Sequence, residues 1–93
     1  VARVLVMNLE PALALKYAQL AAELRAGELN TEVYGPDHKL DKQFKYAERA
    51  GIPLALILLG NGDVKVKDLA AQKELTVPRA ELVERVRALL RSP

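Results

Sequence analysis

Cysteine and tryptophan are absent from the 93 residues, and there is one phenylalanine, one histidine, one serine and one methionine. Without cysteine there is no disulfide, thiol nucleophile or thiolate metal ligand, which suits a reducing compartment. Nucleophilic catalysis needs a nucleophile beside a base that a third group orients. His38 stands next to an expected helix cap and Ser92 in the C-terminal tail, so they do not make that arrangement. A lone histidine without clustered carboxylates also lacks the ligand spacing of a metal site. The longest apolar run, Leu54 to Leu59, is far short of the ~20 residues that span a bilayer. No signal peptide is visible, and the chain begins Val-Ala-Arg, so 1–93 is read as one domain of a longer protein. No catalytic, cofactor-binding or metal-binding residue is expected in it. The turn after the first expected strand, Asn8-Leu9-Glu10-Pro11, has no glycine to cradle a dinucleotide. Gly60-Asn61-Gly62 joins two strands and lacks the helix that a phosphate loop requires.

What is present is a regular alternation of strand and helix patterns. Val1 to Met7 is apolar apart from Arg3 and reads as a buried strand. Asn8 is expected to cap the next helix, with Pro11 in its first turn. Leu13, Tyr17, Leu20 and Leu24 recur at helical spacing, and Gly27 ends the run. Thr31 to Tyr34 reads as a short strand closed by Gly35-Pro36. A second helix follows from Lys39, with Asp37 as its cap and Leu40, Phe44 and Ala47 as its core stripe. Gly51 is placed for a left-handed C-terminal turn, and Pro53 cannot continue a helix. Leu54 to Leu59 lacks polar alternation, the pattern of a strand covered on both faces. Asn61-Gly62 signals a tight hairpin. Asp63 to Lys67 then alternates valines with outward lysines. Glu74 to Val77 is a last strand, Pro78 opens the closing helix, and Leu82, Val86 and Leu89 form its apolar stripe. This order predicts a three-layer α/β/α domain: a mixed five-stranded sheet with three helices, two parallel crossovers and one antiparallel hairpin.

The formal charge is +2, unevenly spread: residues 35–67 hold 6 basic and 4 acidic side chains. That tilt is too small to mark a nucleic-acid-binding composition. Lys39, Lys42 and Lys45 repeat every three residues along one side of the second helix, while Lys65 and Lys67 share the outward side of a strand. Such faces often serve only solubility. Two in one small domain also suit a phosphate-bearing partner.

These residues resemble a known family. The run Lys39-Leu40-Asp41-Lys42-Gln43-Phe44-Lys45-Tyr46-Ala47, followed by Gly51-Ile52-Pro53, is similar to the second helix of the C-terminal anticodon-binding domain of histidyl-tRNA synthetase. Val64-Lys65-Val66-Lys67-Asp68-Leu69 and Thr76-Val77-Pro78 match that family's hairpin strand and the lead into its last helix. Val4-Leu5-Val6 and Glu23-Leu24-Arg25-Ala26-Gly27 fit as well, so the likeness covers essentially the whole chain. The resemblance implies a domain that is no enzyme alone. It would hold the anticodon stem-loop of tRNA(His) while a separate catalytic domain, using ATP and magnesium, charges the tRNA with histidine. It further implies a cytoplasmic parent, homodimeric through its catalytic domain, with no membrane contact. Carried over, the RNA-binding positions are Asp37, Lys39, Lys42, Gln43, Lys45, Lys65 and Lys67, with most weight on Lys45 and Lys67. Lysines would take phosphates, and Gln or Asp would read base edges. Two departures stand out: a longer acidic loop of the family is cut to Gly60-Asn61-Gly62-Asp63, and Asp41 places an acid where the family tends to have Gly or Lys. They keep open an alternative, a regulatory or protein-interaction domain of a synthetase-like paralogue with reduced or no tRNA binding. A third reading is the equivalent domain of a prolyl-, threonyl- or glycyl-tRNA synthetase.

Overall fold

The computed structural model describes residues 2–35 and 37–91. The expected strand start at Val1, the close of the second strand at Pro36 and the tail position of Ser92 lie outside them. Five strands form one sheet: β1 (Val4–Val6), β2 (Thr31–Val33), β3 (Leu54–Leu58), β4 (Val64–Asp68) and β5 (Lys73–Val77). Three α-helices join them: α1 (Ala14–Ala26), α2 (Leu40–Ala50) and α3 (Leu82–Arg91). Single 3-10 turns, Pro11–Leu13 and Arg79–Glu81, lead into α1 and α3.

The sheet order is β2-β1-β3-β4-β5. β1 pairs in parallel with both β2 and β3, and β3-β4-β5 is an antiparallel meander. This is the expected mixed sheet with three helices. Side chains alternate across it. Val4, Val6, Leu54, Leu56, Val64, Val66 and Val77 pack with Tyr17, Leu20, Leu24, Leu82 and Val86, so α1 and α3 cover one face. Leu5, Met7 and Ala55 pack with Ala47 and Ile52 under α2 on the other.

The second face is only half covered. α2 lies over β1 and β3, while the outward hairpin residues Lys65, Glu74 and Thr76 have no helix above them and Lys67 meets α2 at the Phe44 ring. The expectation that all of Leu54 to Leu59 is covered on both faces therefore fails at its far end. Ile57, opposite Lys65, is half-buried like Leu58 and Leu59.

Local differences from the expectations have physical reasons. Asn8 does not cap α1: its amide donates to the Tyr34 carbonyl at 2.9 Å, tying β1 to β2 beyond their paired residues. Gly27 does end α1, but with φ −85. The left-handed residue is Glu28, at φ 65. Glycine is needed at 27 for space, because a Cβ there would sit 2.7 Å from Val83 Cγ1 of α3. Gly51, at φ 74, is the left-handed cap the sequence suggests for α2. The hairpin after β3 is not a two-residue turn. Gly62 N–H donates to the Leu59 carbonyl at 3.0 Å, and Gly62 alone takes positive φ, at 92. That is a three-residue loop with a glycine bulge.

Candidate nucleic-acid interface

The first turn of α2 and the end of β1 are joined by a buried amide. Gln43 is fully buried. Its Nε2 donates to the Asn8 carbonyl at 2.9 Å, and its Oε1 accepts from the Asn8 N–H at 2.7 Å. Both backbone groups of Asn8 are thus satisfied where the parallel pairing runs out. His38 Nδ1 adds a contact 3.0 Å from the same carbonyl. This corrects the expectation for Gln43: it does not stand on the solvent side of α2 for an RNA ligand to reach. Leu40 is corrected in the opposite sense, since it is 46% exposed and not in the core stripe. The buried centre of α2 is Gln43 and Ala47, with Phe44 and Tyr46 half-buried on its two flanks.

Those flanks separate the candidate lysines. On one side Tyr46 donates to the Glu32 carboxylate of β2, and its ring meets Tyr34 edge-on at 5.4 Å. The hydrogen bond to Glu32 holds the Tyr46 phenol above its ordinary pKa, because ionisation would set two negative charges side by side. Lys42, one turn before Tyr46, belongs to this side, and its Nζ lies 3.8 Å from Asp37 Oδ2. Asp37 Oδ1 accepts from the Lys39 N–H at 2.9 Å. Asp37 therefore steadies the entry to α2, with Lys39 itself in the N-cap position.

On the other side Phe44 faces the hairpin, and Lys67 Nζ lies 4.9 Å from its ring centroid. Lys67 and Lys65 share one carboxylate, with Glu74 oxygens at 3.3 and 3.9 Å. Lys45 crowns the helix between the two sides and is exposed. Among the described residues neither Lys45 nor Lys39 is in an ion pair. The structure thus brings Lys65, Lys67 and α2 to one face of the sheet, and it sets Lys39 and Lys42 apart on the β2 side. Glu74, which the sequence did not single out, and Phe44, expected in the core stripe but only half-buried, stand with the hairpin lysines. Glu74 faces Lys67 across the strand pairing, a register that the sequence alone does not display.

A family model described as an anticodon binding domain matches residues 3–89. The chain belongs to the family of histidyl-tRNA synthetase anticodon-binding domains. It is 39% identical over 90 residues to a histidine–tRNA ligase of Danio rerio, covering 91% of this chain and 18% of that protein. The corresponding ligase of Xylella fastidiosa strain M23 is 46% identical over 68 residues, covering 68% of this chain and 14% of that one. The crystal structure of histidyl-tRNA synthetase from Nostoc sp. PCC 7120 superposes with a TM-score of 0.91 at 28% identity, over 96% of this chain and 22% of that one. This anticodon-binding domain thus spans less than a quarter of the relatives it matches. Among its described residues no helix is long and apolar enough to cross a membrane, and no group of three or more His, Cys, Asp or Glu could hold a metal.

Proposed function

We propose that the domain holds the anticodon stem-loop of tRNA(His) for a parent histidyl-tRNA synthetase. The parent's catalytic domain would activate histidine with ATP and magnesium in a cytoplasmic homodimer. The observation that carries this reading is the uncovered half of the sheet: a polar floor of Lys65, Lys67 and Thr76, walled by α2 with Lys45 on its crown. A loop of RNA presents phosphates outside and splayed bases inside, and such a walled floor receives both. The basic side chains are spaced along the approach and not gathered into a dense patch, which suits a short segment of backbone.

The test is fluorescence anisotropy with a labelled tRNA(His) anticodon stem-loop across a salt series. Replacing Lys45 and Lys67 together with alanine removes two phosphate contacts. The slope of log K against log salt should flatten by roughly 1.4 for a single-stranded segment. Circular dichroism should show the fold retained. A double variant that binds as the parent does, with the same slope, would overturn the assignment of these two lysines.

A further inference from the structure

A cavity of about 290 Å³ opens where α1 and α3 end, across the sheet from Lys65 and Lys67. Arg3, Arg87 and Arg91 line it, together with Gly27, Glu28 and Leu90 among others. We propose that this cavity is an anion site that takes the phosphate group of a phosphate ester, held by Arg3 and Arg91 beside a fixed Arg87. The site lies apart from the RNA interface above and does not rest on that reading.

Part of this arginine chemistry is local, because the last carbonyls of a helix lack partners within it. Arg87 Nη2 donates to the Gly27 carbonyl at 2.6 Å, and its Nη1 donates to the Glu84 carboxylate at 2.8 Å. Both arms of that fork are engaged, so this guanidinium is fixed between α1 and α3. Arg3 and Arg91 are exposed and far less committed. Arg3 Nη2 reaches the Leu90 carbonyl at 3.4 Å. Among the described residues neither Arg3 nor Arg91 is in an ion pair. A guanidinium carries five N–H donors, so most of theirs remain for a ligand. Glu28 is the one acid in the lining, and Glu84 stands outside it as the partner of Arg87. Positive charge is thus in excess, which selects an anion. Shape selects its class. A flat carboxylate presents two oxygens in one plane, whereas a tetrahedral phosphate can accept from guanidiniums at the start of β1 and on successive turns of α3. The half-buried Leu90 adds an apolar flank for the organic part of the ester.

Nuclear magnetic resonance of the 93-residue chain, titrated with inorganic phosphate against chloride at constant ionic strength, tests this. The amide signals of Glu28, Leu29 and Asn30 should shift and saturate before those of Lys65 and Lys67 respond. Arg3→Gln and Arg91→Gln should each weaken binding by roughly tenfold, as loss of a hydrogen bond to a charged group does. Arg49→Gln removes the same charge from the exposed end of α2 and should leave binding unchanged. Acetate at equal ionic strength should not displace the phosphate. Equal weakening by Arg49→Gln, shifts that never saturate, or displacement by acetate would each mark a general counter-ion effect and overturn the site. Adenosine monophosphate and the anticodon stem-loop then distinguish the sources of the phosphate group. Displacement by the nucleotide assigns a free ester, and displacement by the stem-loop alone assigns an RNA backbone. If neither displaces it, the cavity holds an adventitious ion only and the proposal falls. A stem-loop that binds nowhere removes the RNA-binding role and leaves a nucleotide-displaced site standing.

Discussion

Replacing Gln43 with leucine separates the two parts this residue could play. The sequence places it among the groups offered to RNA, whereas the structure buries it completely and gives it both backbone groups of Asn8. Leucine has nearly the same volume, so no cavity opens and the loss is that of two hydrogen bonds. The Asn8 carbonyl keeps His38 Nδ1 at 3.0 Å. The Asn8 N–H has no such substitute and is left unpaired. An orphaned buried donor costs about 1–3 kcal/mol, so a central value is about 2 kcal/mol. For a domain of this size each kcal/mol moves the midpoint by roughly 4–8 °C, giving a fall in Tm of roughly 8–16 °C. Thermal unfolding followed by circular dichroism measures it. Anisotropy with the anticodon stem-loop, at a temperature where both proteins are folded, should find their affinities equal. A variant that keeps the parent's Tm but loses RNA binding would refute the buried-clamp reasoning and return Gln43 to the interface.

Two further outcomes follow from packing and titration. Gly27→Ala drives a methyl group to within 2.7 Å of Val83 Cγ1. It should cost about 1–3 kcal/mol, as overpacking does, and Gly27→Ala with Val83→Ala should recover part of it in urea unfolding. Tyr46→Phe removes the hydrogen bond to Glu32. Because the folded state raises this phenol's pKa, the native structure favours the protonated form. The stabilisation is whole below the unfolded phenol value of about 10 and is lost as pH rises through the folded value. The parent should therefore be more stable than Tyr46→Phe at neutral pH, with the gap closing in alkali. A gap that is independent of pH, or an unshifted tyrosinate absorbance titration, would contradict the assignment.

The element order, the parallel and antiparallel pairings and the left-handed Gly51 were legible because each rests on local rules. Apolar runs, helical spacing and the conformational freedom of glycine act within a few residues. The lateral position of α2 was not legible. Leu40, Phe44 and Ala47 do repeat at helical spacing, but where the buried arc is centred depends on which strands lie beneath. Here the helix sits over β1 and β3, so Leu40 emerges and Gln43 turns inward. A polar residue reads as solvent-facing until a partner is known, and Gln43's partner is 35 residues away in sequence. Its one trace was Asn8, a polar residue at the end of a buried parallel strand, whose backbone had to be satisfied by something. Of the candidate interface, the lysines were visible by type and spacing. Their division by α2 and their shared carboxylate depend on the strand register, which only the folded chain displays.

The bare half of the sheet also has a thermodynamic consequence. The hydrogen bonds between β4 and β5 are screened from water by side chains on one face alone, where Val64, Val66 and Val77 are buried. The pairs of β1 lie between helices on both faces. Opening of the outer hairpin should therefore need less free energy than opening of the central strands. A ligand lying across Lys65, Lys67 and Glu74 would supply the missing layer, and by mass action it would raise the stability of that hairpin above all. On the proposed binding mode the domain is thus least self-sufficient where its ligand would lie, and occupancy there would be recorded as local rigidity in the strands beneath.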